Sequence, residues 1–108
     1  MQKERQNTPA PFVIHVDDVQ PYAPANHTGT VNRRLIGQET VGARNIEVLY
    51  AILQPGHGAL PHQHPHMEQV CYVVRGTAQA QVSNRLENLG PGDCCYFAAG
   101  VDHIFTAT

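Results

Sequence analysis

The chain has 108 residues, a net charge of −2, 15% charged residues and 42% hydrophobic residues. This balance excludes a disordered chain and fits one globular domain with one core. Because Arg33 and Arg34 form the only basic doublet, we expect no nucleic-acid partner. The longest apolar runs have six residues, too few to span a membrane, and the polar N-terminus lacks a signal peptide. We therefore expect a cytoplasmic protein without a membrane partner.

The first half of the chain is predicted to contain loops and short strands. Residues 1–11 are expected to form a flexible N-terminal arm, because charged residues are followed by two prolines. Residues 12–16 are predicted to form a first strand and residues 30–36 a second. The clearest early strand is 46–53, which is rich in β-branched and aromatic residues.

The second half repeats this pattern with shorter spacing. Strands are predicted at residues 69–75, 77–82, 86–89, 94–98 and 103–106, with glycine or proline turns around them. No segment shows a sustained helical period. Many short strands at intervals of about 8–12 residues indicate an antiparallel sandwich or barrel. We expect residues 12–108 to form this single domain.

Three histidines suggest a metal site. His62 and His64 are two residues apart, so on an extended chain both side chains point to the same face. A packed core has little use for such a pair, since a neutral imidazole carries a donor and an acceptor that must both be satisfied. His103 lies in a later strand-like segment beside a glycine. The pattern predicts a metal site on a β scaffold.

The segment around the first two histidines has a regular frame. Gly56 is followed by five residues and then by His62 and His64, and the segment ends at Gly76. This spacing resembles the first conserved motif of the cupin superfamily, in which a glycine, a His-x-His pair, a glutamate and a closing glycine follow in order.

A second segment resembles the other cupin motif. Five residues separate Gly92 from Ala98, which stands where the family usually has proline, and Gly100 and His103 are in register. Ala107 replaces the usual asparagine. The two motifs are separated by 15 residues, the short spacing of compact bacterial cupins. The resemblance implies an all-β fold: a small antiparallel jelly-roll (double-stranded β-helix) barrel of cupin type.

The resemblance also implies one bound divalent transition metal: Zn, Ni, Fe, Mn or Cu. His62, His64 and His103 would be three of its ligands, together with a carboxylate or an equivalent oxygen from the first motif. Three imidazoles and one oxygen suit any of these metals and leave positions open for water or substrate.

The fourth ligand has two candidates, Glu68 and Gln69. The family pattern places six residues between this ligand and the closing glycine, which Gln69 satisfies and Glu68 does not. Against this, the residues on the same strand face as Glu68, which are Val70, Tyr72 and Val74, are slightly more apolar than those on the face of Gln69, which favours Glu68 facing inward. We predict Gln69 as the ligand, with Glu68 and His66 as candidate catalytic acid/base groups.

Three cysteines and two alanines lie in predicted strands. The odd count of Cys71, Cys94 and Cys95 argues against a disulfide framework, and we expect all three to be small buried hydrophobes. Ala78 and Ala80 are small at positions that could face inward, where they would leave room for a ligand.

The expected partner is a small-molecule substrate, bound by a metalloenzyme that acts on a small oxygenated compound. Dioxygenase, sugar-acid isomerase and polyketide-cyclase chemistry all fit, because fold alone does not choose between them. The alternative is a non-catalytic module that binds or senses a small molecule or a metal.

We also expect a homodimer. The last predicted strand lies close to the end of the given sequence, whereas related barrels usually have one more strand. Residues 12–16, from the same chain or a partner, could cover this edge, since an unpaired apolar edge favours association.

Overall fold

The computed structural model describes residues 9–61 and 63–108, so His62 and most of the predicted N-terminal arm lie outside the described residues. Residues 9–11 form neither helix nor strand. The described ranges contain eight strands: β1 (Pro21–Tyr22), β2 (Thr30–Ile36), β3 (Val48–Leu53), β4 (Gln69–Tyr72), β5 (Ala78–Val82), β6 (Arg85–Leu89), β7 (Cys94–Phe97) and β8 (His103–Ala107). They also contain a 3₁₀ turn (Val16–Asp18) and one short helix, α1 (Gln38–Val41). In the same ranges, no helix is long and apolar enough to cross a membrane.

The predicted strand at 12–16 is wrong. Phe12 and Val13 are 90% and 75% exposed, and the chain enters the 3₁₀ turn at Val16. The reason is local hydrogen bonding at His15. The amide of Asp17 donates to Nδ1 of His15, and the amide of Asp18 donates to the carbonyl oxygen of His15. Such bonds give the backbone an alternative to a strand ladder.

The described residues form two compact units. The first comprises residues 9–23 and 31–52 and contains most of the sheet with strand order β1-β2-β3. Arg34 connects its elements: the guanidinium contacts Glu39 at 2.9 Å and Glu47 at 3.3 Å, and donates to the Tyr22 hydroxyl at 3.1 Å. The Glu39 hydrogen bond raises the pKa of Arg34. Arg34 thus ties β1, α1 and the segment before β3 to β2.

The second unit comprises residues 24–30 and 53–108. It holds two antiparallel sheets, a pair β4-β7 and a triplet with strand order β6-β5-β8. The described part of the chain is therefore predominantly β, as the sequence predicted.

Backbone hydrogen bonds from residues 56–59 cover the outer edge of β8. The Ala59 amide donates to the Phe105 carbonyl at 3.1 Å, and the amides of Gly56 and Ala107 extend this pairing. The suggestion that residues 12–16 of the same chain cover this edge is therefore wrong. Amide and carbonyl groups that a strand leaves unpaired take partners wherever backbone approaches, so a loop can serve.

Side chains alternate across the strands of the second unit. Ala78 and Ala80 on β5 are each 5% exposed, so both face the interior as predicted. On β4, Gln69 and Cys71 are half-buried, whereas the side chains between and beyond them are exposed. We call the side of β4 and β7 that carries Gln69 and Cys71 the inward face, and the opposite side the outward face.

We predict that Gly58→Ala destabilises the fold by about 1–3 kcal/mol, the usual range for overpacking. A Cβ at Gly58 would overlap the Phe105 carbonyl oxygen, which the pairing with β8 holds in place. Gly90→Ala is the control, because nothing lies within 4 Å of its Cβ position. Urea denaturation gives both free energies of unfolding, and equal losses would contradict the packing argument.

Candidate metal centre

His103 is the first residue of β8 and is 3% exposed. Its Nδ1 lies 3.1 Å from the Val101 carbonyl oxygen. Because a carbonyl can only accept, Nδ1 donates the proton of the neutral ring and the lone pair is at Nε2. Such a bond from the other ring nitrogen is the usual arrangement behind a metal-binding imidazole.

Phe97 fixes the plane of this imidazole. The rings of Phe97 and His103 stack with centroids 4.1 Å apart and planes 8° from parallel. Phe97 is the last residue of β7 and the most buried large side chain of the described chain, with 2% exposed. The stack therefore joins the two sheets of the second unit at the candidate centre.

His64 approaches His103 from the loop before β4. Their ring centroids are 5.8 Å apart with the planes tilted by 43°. The Gly100 amide donates to the His64 carbonyl at 2.8 Å, which ties this loop to the turn before β8. Residues 63 and 64 are not in a strand, and His62 lies outside the described residues.

Gln69 is the first residue of β4 and lies on the inward face, directly opposite Phe97. Its side-chain oxygen Oε1 is buried and accepts no hydrogen bond from the described residues. A buried amide oxygen without a donor is costly, by about 1–3 kcal/mol. A cation would remove that cost, so the donor set of Gln69, His64 and His103 fits a metal.

Glu68 and His66 are both exposed and do not face inward with Gln69. Glu68 is exposed, and its carboxylate accepts a hydrogen bond from the Tyr96 hydroxyl, which belongs to the outward face and is 55% exposed. This hydrogen bond raises the pKa of Tyr96. His66 is exposed in a turn. Of the two candidates for the fourth ligand, the structure therefore places Gln69 inward.

The apolar residues around Glu68 do not indicate burial. Val70, Tyr72 and Val74 alternate with Gln69 and Cys71, and they are 64%, 63% and 71% exposed. The mild argument for an inward Glu68 thus rested on side chains of the outward face, which is itself apolar. The spacing to the closing glycine was the better signal.

The cysteines divide between the two faces. Cys71 and Cys95 are opposite each other and half-buried, whereas Cys94 is exposed, so the expectation of burial is wrong for Cys94. Adjacent strand residues must face opposite sides, a signal present in the sequence. Burial raises the pKa of the Cys71 thiol to about 12, so this residue is protonated at neutral pH.

Within the described ranges, no three His, Cys, Asp or Glu side chains are grouped closely enough to hold a metal ion. His64, His103 and the amide of Gln69 are thus the described part of the predicted ligand set, and His62 is the remainder. An open depression of about 510 Å³ lies beside His103. Its other lining residues are Pro61, Gln63, Gln81, Ser83, Asp102 and Ile104.

This chain is similar to a known protein family and to solved structures. The family model described as Cupin domain matches residues 49–108. The polyketide cyclase RemF from Streptomyces resistomycificus has a similar structure, with a TM-score of 0.76 and 26% identity, covering 87% of this chain and 68% of that one. None of the curated proteins is similar enough in sequence to count as a match.

Two further structures share the fold. KdgF from Halomonas sp. has a TM-score of 0.76 and 19% identity, covering 88% of this chain and 82% of that one. A predicted oxalate decarboxylase from Thermotoga maritima has a TM-score of 0.77 and 19% identity, covering 90% and 88%. At this identity the likeness concerns the fold alone, an all-β jelly roll.

We predict that Phe97→Ala costs about 3–5 kcal/mol of unfolding free energy, as expected for a fully buried phenylalanine. Tyr96→Ala is the matched control on the same strand and should cost about 1 kcal/mol or less, because its side chain is largely exposed. Chemical denaturation checks both. A smaller loss at Phe97 than at Tyr96 would contradict the assigned faces of β7.

Proposed function

This chain belongs to the cupin family, and we propose that it is a metal-dependent enzyme acting on a small oxygenated substrate. One divalent transition metal would be held by His62, His64, Gln69 and His103. The observation that supports this most is the close approach of His64 to His103, with ring centroids 5.8 Å apart. The buried side-chain oxygen of Gln69, at the strand position opposite Phe97, adds a third candidate donor.

The proposed ligands are all neutral when bound. Three imidazoles and an amide oxygen are compatible with Zn, Ni, Fe, Mn or Cu. When bound, such a metal supplies Lewis acidity toward a substrate oxygen or activates O₂, and neutral ligands preserve more of its charge than a carboxylate would.

The protein's own residues would orient the site and make room in it. Val101 and Phe97 fix the tautomer and the plane of His103 before any ligand binds. Ala78 and Ala80 are buried and small, so they leave space where larger side chains would fill the interior. A small substrate could enter by the depression beside His103.

Proton transfer by His66 or Glu68 stays a prediction. His66 is exposed in the turn between His64 and β4, close in sequence to the proposed ligands. Glu68 is held on the outward face by the Tyr96 hydroxyl. Glu68 would have to release that bond to serve an inward substrate, so His66 is the stronger candidate.

Among the three reaction types, the similarity to RemF supports cyclisation of an aromatic polyketide. The test is to load the purified protein with each candidate metal and supply a linear poly-β-ketone analogue. Metal-dependent formation of a cyclised aromatic product would support the proposal. Binding of the analogue without conversion under every metal would instead support the non-catalytic alternative.

We predict that His103→Ala and Gln69→Ala each weaken metal binding, by at least about 100-fold for the histidine. His57→Ala is the control: His57 is an exposed histidine whose Nδ1 bonds to the Thr28 hydroxyl. Metal content after dialysis, measured by mass spectrometry, should stay near one ion per chain in the control. Equal metal content in His103→Ala and His57→Ala would contradict the ligand assignment.

We also propose a homodimer formed through the outward face of β4 and β7. Its side chains Val70, Tyr72, Val74 and Tyr96 are all more than half exposed. A symmetric dimer places the same patch against itself. These four side chains are aliphatic or aromatic, and the neighbouring Glu68 carboxylate already accepts a hydrogen bond from Tyr96 of its own chain. An exposed apolar patch of this kind usually marks an interaction site.

We predict that the wild-type chain is a dimer in light scattering at micromolar concentration and that Val70→Lys is a monomer. The lysine places like charges opposite each other across the proposed interface. Leu86→Lys is the control, because Leu86 is 54% exposed but lies on β6, in the other sheet. A monomeric wild type, or a dimeric Val70→Lys variant, would rule out this interface.

A further inference from the structure

Cys71 and Cys95 occupy directly opposed positions on β4 and β7. The Val73 amide donates to the Asp93 carbonyl at 2.9 Å and the Gly92 amide donates to the Val73 carbonyl at 2.9 Å, so Gly92 and Asp93 together face Val73 at a hydrogen-bonded position of the ladder. Pairs alternate along an antiparallel ladder, which makes Cys71 and Cys95, two residues away, another hydrogen-bonded pair. Their Cα atoms are then about 5.5 Å apart, within the range of about 4.4–6.8 Å that a disulfide requires.

The two side chains also share a face. Both are half-buried on the inward side of the ladder. Cys94 lies on the outward face opposite Tyr72 and cannot reach either sulfur. The fold therefore selects one intramolecular pairing among three free cysteines.

We propose that Cys71 and Cys95 form a reversible cross-strand disulfide by exchange with a low-molecular-weight disulfide. One thiol loses its proton and attacks the external disulfide, giving a mixed disulfide and releasing one small thiol. The second cysteine loses its proton and attacks the protein sulfur of that intermediate, which releases the second small thiol. The protein loses two hydrogen atoms, and the external disulfide is reduced to two thiols.

The geometry indicates why the bond is reversible. Directly opposed Cβ atoms in a hydrogen-bonded pair are about 5.5 Å apart, whereas a relaxed disulfide needs about 3.8 Å. Closing the bond must therefore draw β4 and β7 together, and strained disulfides are more easily reduced. The next inward pair on the same ladder is Gln69 with Phe97, so oxidation acts close to the candidate metal centre.

The test uses the full-length chain with Cys94→Ser, which removes the exposed thiol but neither member of the pair. The folded protein is incubated with excess oxidised glutathione and quenched with iodoacetamide. Its mass is then measured by intact-protein mass spectrometry. We expect a species lighter by two hydrogen atoms, without alkylation or a glutathione adduct, that dithiothreitol converts back to the dithiol. This readout needs no metal, so it succeeds or fails independently of the proposed function.

Two matched variants identify the pairing. In the Cys94→Ser background, Cys71→Ser and Cys95→Ser each keep one inward thiol and should stop at the glutathione adduct. Circular dichroism confirms that each variant is folded. A folded Cys94→Ser protein that retains two alkylatable thiols, or that stops at an adduct, would overturn the proposal.

Discussion

The face-to-face contact between Phe97 and His103 determines the geometry of the candidate centre. It places the last residue of β7 against the first residue of β8, with ring centroids 4.1 Å apart, and thereby fixes the plane of an imidazole whose tautomer Val101 has already selected. Gln69 is opposite Phe97 on the neighbouring strand, so the strand pairing brings a second proposed ligand to the same end of the ladder. A buried ring of this size cannot rotate or shift without displacing its neighbours, because protein interiors are close-packed.

Main-chain hydrogen bonds also hold the segments around the candidate centre in place. The Gly100 amide ties the turn before His103 to the carbonyl of His64, and residues 56–59 lie along the edge of β8. Main-chain bonds therefore anchor the chain at residues 56–59 and again at His64, although residues 63 and 64 are not in a strand.

The sequence predicted the β class, the positions of most strands and the family. The alternation of polar and apolar residues indicates strands, and the spacing of glycines and histidines indicates the family, and both can be seen directly in the sequence. It did not predict that residues 56–59 cover β8, since backbone hydrogen bonds carry little side-chain signature. The strand at 12–16 is wrong because the carbonyl oxygens of His15 and Val16 accept local hydrogen bonds of a 3₁₀ turn. Glu68 and Gln69 were difficult to separate because β4 is apolar on its exposed face, where polarity normally reveals the solvent side.

The pairing of residues 56–59 with β8 also bears on how the chain reaches its native state. Gly56 and Ala107 are partners although roughly half the chain separates them, and contacts of such high sequence separation form slowly because a long loop must close first. His103 begins the strand that this pairing completes. During synthesis, the earlier histidine loop is therefore made before its partner strand, and the candidate metal centre can assemble only after β8 has been made.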